Sequence, residues 1–132
     1  MTDATYGYTR NLGRVEFDDA VARVTAALKT EGFGVLTEID VKGTLKKKLD
    51  VDFRQYKILG ACNPPLAHRA LSNELLIGLL LPCNVIVFEE DDGTVTASAV
   101  NPGEMFKVVD NPGMADIAAQ VDAKIKKVVE LI

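Results

Sequence analysis

The chain has 132 residues, close to the commonest size of one folded domain and too short for two independent hydrophobic cores, so a single domain over residues 1–132 is expected. Hydrophobic residues make up 48% and charged residues 26% of the sequence, which excludes an intrinsically disordered chain. The net charge of -4 disfavours attraction to phosphate backbones and anionic lipids, so neither nucleic acid nor a membrane is an expected partner.

No segment predicts export or membrane insertion. The longest apolar run, residues 75–81, is far shorter than the roughly 18 to 20 residues that cross a bilayer. Residues 1–6 have neither the basic start nor the apolar stretch of a signal peptide. We therefore expect a cytoplasmic protein whose two cysteines, Cys62 and Cys83, stay reduced rather than form a structural disulfide.

The first quarter of the chain predicts a strand, a helix and a second strand. Residues 6–12 mix aromatic, threonine and apolar residues in a run typical of a strand. From Phe17 to Leu28 apolar residues recur at helical spacing, and Gly32 lies just beyond the predicted end of that helix. Residues 34–39 are rich in β-branched and apolar residues, which favours a second strand after a short connection.

The next segment predicts a short helix, a strand and a helix that follows the strand directly. Apolar residues stand four positions apart with lysines between them, at Val41, Leu45 and Leu49. Residues 56–62 alternate between two faces, as a strand does. Asn63, followed by Pro64 and Pro65, predicts a helix start, because asparagine is a favoured N-cap and proline is favoured at the first helical position.

The last third predicts a hairpin and a long helix. Residues 83–88 are the most strand-like in the chain, which indicates a central strand. An Asp-Gly pair then precedes the alternating residues 94–100, a hairpin signal. Asn101 and Asn111 each precede a proline and repeat the helix-start signal, the second before an amphipathic stripe that runs to the end of the chain.

The predicted order of elements is β-α-β-α-β-α-β-β-α. Because the strongest strand pair is a hairpin, a purely parallel, doubly wound sheet is disfavoured. We expect an α+β two-layer sandwich, in which a mostly antiparallel, mixed sheet is covered on one face by the first and last helices.

One constellation predicts a place for chemistry, where the strand ending at Cys62 passes into a helix. A helix N-terminus favours a thiolate and can hold a small anion. His68, the only histidine, falls about one turn into the same helix, and Cys83 starts a neighbouring strand. The candidate ligand-binding residues are Gly60, Cys62, Asn63, His68 and Cys83.

The same residues have a structural interpretation. Free cysteine is among the most buried residue types and packs in cores as a small hydrophobic residue, so both thiols are more often structural. A glycine in a strand marks a bulge or a packed neighbour as readily as a ligand. Cys62, His68 and Cys83 remain candidate metal ligands, although their spacing matches no compact metal motif.

Three blocks of sequence resemble a known family. They are residues 56–71, residues 79–85 and residues 98–102, and the run at residues 32–40 matches as well. The chain resembles the family catalogued as domain of unknown function 302. The resemblance implies a small two-layer α/β domain that tends to form homodimers, and it brings no established activity. Cys62, Pro64, Pro82 and Cys83 occupy the recurrent motif of that family.

Three functional hypotheses follow. The first is a non-enzymatic, homodimeric module that binds a small or anionic ligand, or a metal, near Cys62, His68 and Cys83, with residues 75–81 as a dimer surface. The second is a thiol-based redox enzyme with Cys62 as nucleophile and Cys83 as the resolving thiol. The third is a purely structural or interaction domain with inert sulfurs. The sequence names no cofactor and does not decide among the three.

Overall fold

The computed structural model describes residues 4–132, in which five strands form one sheet. The spatial order of the strands is β1-β5-β4-β3-β2, and every neighbouring pair is antiparallel, so the expected mixed sheet is in fact wholly antiparallel. The strand at the centre is β4, as its sequence predicts. The strands are β1 (Gly7–Asn11), β2 (Gly34–Asp40), β3 (Tyr56–Cys62), β4 (Cys83–Glu89) and β5 (Val95–Val100).

Helices connect these strands in the order that the sequence predicts, and the α+β class is confirmed. The α-helices are α1 (Phe17–Thr30), α2 (Val41–Leu49), α3 (Pro64–Asn73), α4 (Pro102–Met105) and α5 (Ala115–Leu131). Short 3-10 helices cover Leu75–Leu80, Phe106–Val108 and Pro112–Met114. No helix within residues 4–132 has the length and apolar character needed to span a lipid bilayer.

The hydrophobic core lies between one face of the sheet and the helices α1 and α5. Strand alternation sends Leu59, Val85 and Ala97 to this covered face, where all three are buried. Val24 of α1 and Ile125 of α5 are completely buried against them. Burial of such side chains stabilises the fold by roughly 1.5 to 3 kcal/mol each, so the core holds β3, β4 and the two helices in a fixed arrangement.

Three asparagines cap helical segments, as the Asn-Pro pairs predict. The side-chain oxygen of Asn63 accepts a hydrogen bond from Leu66 N at 3.4 Å. Asn101 accepts one from Glu104 N at 3.2 Å. Asn111 accepts one from Gly113 N at 3.0 Å. Each bond satisfies a backbone N–H that the first helical turn leaves without a partner.

The leucine-rich segment after α3 forms a 3-10 helix, Leu75–Leu80, that buries little of itself. Ile77 is 1% exposed and anchors the segment to the core. Leu75, Leu76 and Leu79 are 81%, 70% and 83% exposed. We call these three residues the leucine patch.

Candidate functional site

A cavity of about 340 Å³ lies beside the point where β3 passes into α3. Its walls come from the ends of β3 and β4, from α3, from the start and bulge of β2, from the 3-10 helix that begins at Phe106, and from α5. Within residues 4–132, every side chain that lines it is uncharged. The lining residues are Phe33, Leu36, Thr37, Ala61, Cys62, Asn63, Leu66, Ala67, Ala70, Leu71, Leu81, Pro82, Cys83, Phe106, Ile117 and Val121.

Helix α3 supplies one wall because its apolar residues recur at helical spacing. Leu66 and Ala70 are four residues apart, so they lie on one side of the helix and are both buried. Ala67 and Leu71 repeat that spacing one residue later and also line the cavity. The direct passage from strand to helix at Cys62, which the sequence predicts, therefore places a whole apolar helix side next to the thiol.

Cys62 is the last residue of β3 and lines the cavity with a half-buried side chain. The neighbouring strand β4 begins at Cys83, which also lines the cavity. Both cysteines are free thiols. Cys83 therefore starts a strand that neighbours the strand of Cys62, as the sequence indicates.

The thiol of Cys83 is buried in the wall of the cavity. The residue is 5% exposed, and burial raises the pKa of its thiol from 9.0 to about 11, with a smaller contribution from nearby Cys62. A thiol with that pKa stays protonated at neutral pH. It is therefore a weak nucleophile and a weak metal ligand, because both roles need the thiolate.

The strand register separates the directions of the two cysteine side chains. Ala61 of β3 lies opposite Cys83 of β4, so these two side chains point to the same face of the sheet. Cys62 follows Ala61, and alternation along a strand directs it to the opposite face. This arrangement disfavours a disulfide between Cys62 and Cys83, since a disulfide needs side-chain bonds that converge.

Asn63 connects helices rather than offering its amide to a ligand. Its side-chain nitrogen donates to the carbonyl oxygen of Glu31, the residue after α1, at 3.1 Å. Its side-chain oxygen accepts from Leu66 N at 3.4 Å. Both ends of the amide are occupied, and the side chain is 9% exposed. Asn63 therefore holds the ends of α1 and α3 together at the cavity wall.

The N-terminus of α3 has no free donor for an anion. Pro64 and Pro65 carry no backbone N–H. Leu66 N donates to the side chain of Asn63, and Ala67 N donates to the Asn63 carbonyl at 2.8 Å. The expectation that this helix start holds an anionic ligand is therefore not supported, because two prolines and the cap consume the donors that such a site would use.

Gly60 is required for packing within the sheet. A Cβ atom at this position would stand 2.8 Å from Cγ of Pro82 and would also overlap the hydroxyl of Thr37. Gly60 does not line the cavity. Of the two interpretations of this glycine, close approach of packed neighbours accounts for it without a ligand.

His68 points away from the cavity. It is two residues from both Leu66 and Ala70, which face the core, so the helical period places it on the solvent side, where it is exposed. Within residues 4–132 no group of three or more His, Cys, Asp or Glu side chains is arranged to hold a metal ion. The structure therefore brings Cys62 and Cys83 together at the cavity and leaves His68 outside.

Sequence reasoning missed most of the apolar wall. The spacing of Leu66, Ala67, Ala70 and Leu71 was a usable signal, because it predicts one apolar side of α3 and puts His68 off it. Phe33, Phe106 and Ile117 come from three separate segments. Nothing local in the sequence shows that their side chains meet, since only the tertiary fold brings them together.

Comparison with known proteins identifies the family. No curated protein matches the chain. The family model described as "Domain of unknown function DUF302" matches residues 8–132. A crystal structure of an uncharacterised conserved DUF302 protein from Bacillus stearothermophilus is similar, with 31% sequence identity and a TM-score of 0.86 over 96% of this chain and 98% of that one. The chain belongs to the DUF302 family.

Proposed function

We propose that this protein is a small-molecule-binding module that holds an uncharged, mainly apolar ligand in the cavity beside Cys62. The observation that carries the proposal is a cavity of about 340 Å³ whose lining, in the part of the chain that the structure describes, has no charged side chain. Cavities that bind small molecules typically have volumes of about 300 to 1,000 Å³ and are mostly apolar.

The chemistry of the wall selects the ligand class. Leucine, alanine, phenylalanine, isoleucine and valine side chains dominate the lining, so a ligand gains mainly from leaving water. A charged ligand would lose its hydration and meet no side chain of opposite charge, which makes its binding unfavourable. Thr37 and Cys62 are the polar groups left for the ligand, because the amide of Asn63 is already bonded at both ends.

A non-catalytic role for the two sulfurs accords with their surroundings. Cys83 is sealed in the wall, and its raised pKa keeps the thiol neutral. Cys62 is more exposed and borders the ligand space, where its sulfur makes a soft, polarisable contact. The redox-enzyme hypothesis needs Cys83 as a reactive resolving thiol, and the burial of Cys83 argues against that role.

We also propose that the module acts as a homodimer in the cytoplasm. The resemblance to the DUF302 family is the basis for the homodimer, and reduced free thiols accord with a cytoplasmic location. The exposed leucine patch is the candidate dimer surface that the sequence suggests. Its partner would be a second copy of the same chain.

A fluorescence titration tests the ligand proposal. The neutral apolar dye N-phenyl-1-naphthylamine is added to the full-length protein, and its emission is followed to saturation. Ala67→Phe places a ring on the cavity side of α3, and we expect it to reduce dye affinity about tenfold or more by filling the space. The matched control is His68→Phe, one residue along the same helix but exposed, and it should leave affinity unchanged.

Two outcomes would overturn the proposal. One is an absence of saturable dye binding to the unmodified protein. The other is equal loss of binding in both variants, with both still folded by circular dichroism, because the dye would then bind at a surface rather than in the cavity.

A further inference from the structure

A β-bulge in strand β2 fixes the direction of the Thr37 side chain. The pairing register shifts by one residue between Val35 and Thr37, so that Thr37 lies opposite Gly60 of β3. In an unbroken register Thr37 would lie opposite Leu59, whose side chain is buried in the core. Because a shift of one residue exchanges the two faces of a sheet, the bulge turns Thr37 away from the core and onto the face of Gly60.

Gly60 leaves room for the hydroxyl group that the bulge brings there. A Cβ atom at this position would overlap the hydroxyl oxygen of Thr37, so a larger residue would displace the hydroxyl. None of the side-chain hydrogen bonds within residues 4–132 involves this hydroxyl. Thr37 is exposed and lines the cavity. Its hydroxyl can therefore form a hydrogen bond with a ligand in the cavity.

The residues that line the cavity differ widely in exposure. Phe33, Ala61 and Ile117 are 2%, 1% and 1% exposed and form part of its closed, buried lining. Leu36, the extra residue of the bulge, is 69% exposed, and Thr37 beside it is exposed as well. We call the part of the lining formed by Leu36 and Thr37 the mouth. An occupant meets apolar side chains at the three buried residues and a hydroxyl at the mouth.

We infer that the cavity takes a neutral, largely apolar molecule with a single oxygen atom at one end, as in a methyl ketone, an aldehyde or a primary alcohol. The oxygen forms a hydrogen bond with the Thr37 hydroxyl at the mouth, and the apolar part extends into the buried lining. The inference rests on the proposed ligand cavity and adds the place of the polar atom. An oxygen in the middle of the ligand would lose its water against apolar side chains, which costs free energy.

Matched ligands and matched variants test this inference. Dissociation constants of 2-nonanone and 2-methyl-1-nonene are measured on the full-length protein by displacement of N-phenyl-1-naphthylamine. The two compounds have nearly the same shape, and the second carries a methylene group in place of the carbonyl oxygen. Thr37→Val replaces the hydroxyl by a methyl group and keeps a branched side chain that suits a strand. Thr37→Ser keeps the hydroxyl, and circular dichroism checks the folding of both variants.

Thr37→Val should weaken the binding of 2-nonanone about fivefold, because one hydrogen bond between neutral groups is lost. It should change the binding of 2-methyl-1-nonene less than about twofold, since that compound has no oxygen to bond. Thr37→Ser should bind both compounds as the unmodified protein does. Cys62→Ala removes the other polar group at the cavity and should leave the ratio of the two affinities unchanged. The isomer 5-nonanone, with its oxygen in the middle, should bind the unmodified protein more weakly than 2-nonanone.

The contrary outcomes separate this inference from the proposed function. An unchanged affinity ratio in Thr37→Val, or equal weakening of both compounds, overturns the inference, because the hydroxyl then does not bond the oxygen. A ketone-specific loss in Cys62→Ala but not in Thr37→Val overturns it as well and assigns the bond to the thiol. Equal affinities for 2-nonanone and 5-nonanone overturn the terminal position of the oxygen. All these results leave the ligand cavity standing, whereas an absence of saturable dye binding overturns the cavity and the inference together.

Discussion

Cys62 and Cys83 occupy similar positions in the sheet but lie in different surroundings. Both lie at the ends of adjacent strands, and both line one cavity. Cys83 starts the central strand and is sealed by the core, with 5% of its surface exposed. Cys62 ends its strand just before α3 and stays half-buried at the cavity. The difference arises from the alternation of side chains along each strand, which directs Cys83 toward the core and Cys62 away from it.

These surroundings explain how two neighbouring cysteines can line a cavity without forming a redox pair. A buried thiol with a raised pKa is not available as thiolate, and its neighbour points to the other face of the sheet. What remains between them is apolar space.

The largest difference should appear in the rates of thiol labelling. We expect Cys62 to react with iodoacetamide on the order of 1,000-fold faster than Cys83, because Cys83 must first be exposed by local opening of the core. Mass spectrometry of the labelled peptides over time measures both rates in one sample. Similar rates at the two positions would contradict the contrast between them.

Alkaline pH should destabilise the folded protein through Cys83. Its thiol has a pKa of about 11 when folded and 9.0 when unfolded, so the unfolded chain gives up the proton first as pH rises. The contribution is fully present below about pH 9 and should decline by about 2 to 3 kcal/mol towards pH 11. Urea unfolding at a series of pH values measures it. Cys83→Ala should remove this part of the pH dependence, and Cys62→Ala should retain it.

Replacing each thiol by a hydroxyl should change the free energy of unfolding by different amounts at the two positions. Cys83→Ser should lower the free energy of unfolding by about 2 kcal/mol, because a hydroxyl is placed in an apolar site. Cys62→Ser should change it by less than about 0.5 kcal/mol, since that side chain is partly exposed. Urea titration at neutral pH gives both values. A larger loss at Cys62 than at Cys83 would reverse the assignment.

The sequence was sufficient for the secondary structure, because the signals there are local. Residues 56–62 alternate in apolar character, and β3 begins and ends at those residues. Asn63, Asn101 and Asn111 each start a helical segment, because the cap is formed within three residues of the asparagine. These features depend on short stretches of chain, so they can be read without knowledge of the fold.

The candidate site was only partly predictable, because its geometry depends on contacts between distant segments. Cys62 and Cys83 were placed correctly on neighbouring strands, whereas the register that turns their side chains apart needs the paired sheet. Proline has no backbone N–H, so Pro64 and Pro65 cannot donate hydrogen bonds to an anion at the start of α3. The weakness of an anion site there could therefore be predicted from the sequence. The apolar cavity was not, since its walls come from six parts of the fold.

The most direct test of the cavity as a ligand site is the rate of Cys62 labelling with and without N-phenyl-1-naphthylamine at saturation. Cys62 lines the cavity, so an occupant should shield its sulfur. We predict that the dye slows labelling of Cys62 about tenfold, as expected when binding of the dye must be reversed before the reagent reaches the sulfur. An unchanged labelling rate, with the dye demonstrably bound, would place the ligand elsewhere and contradict the proposed function.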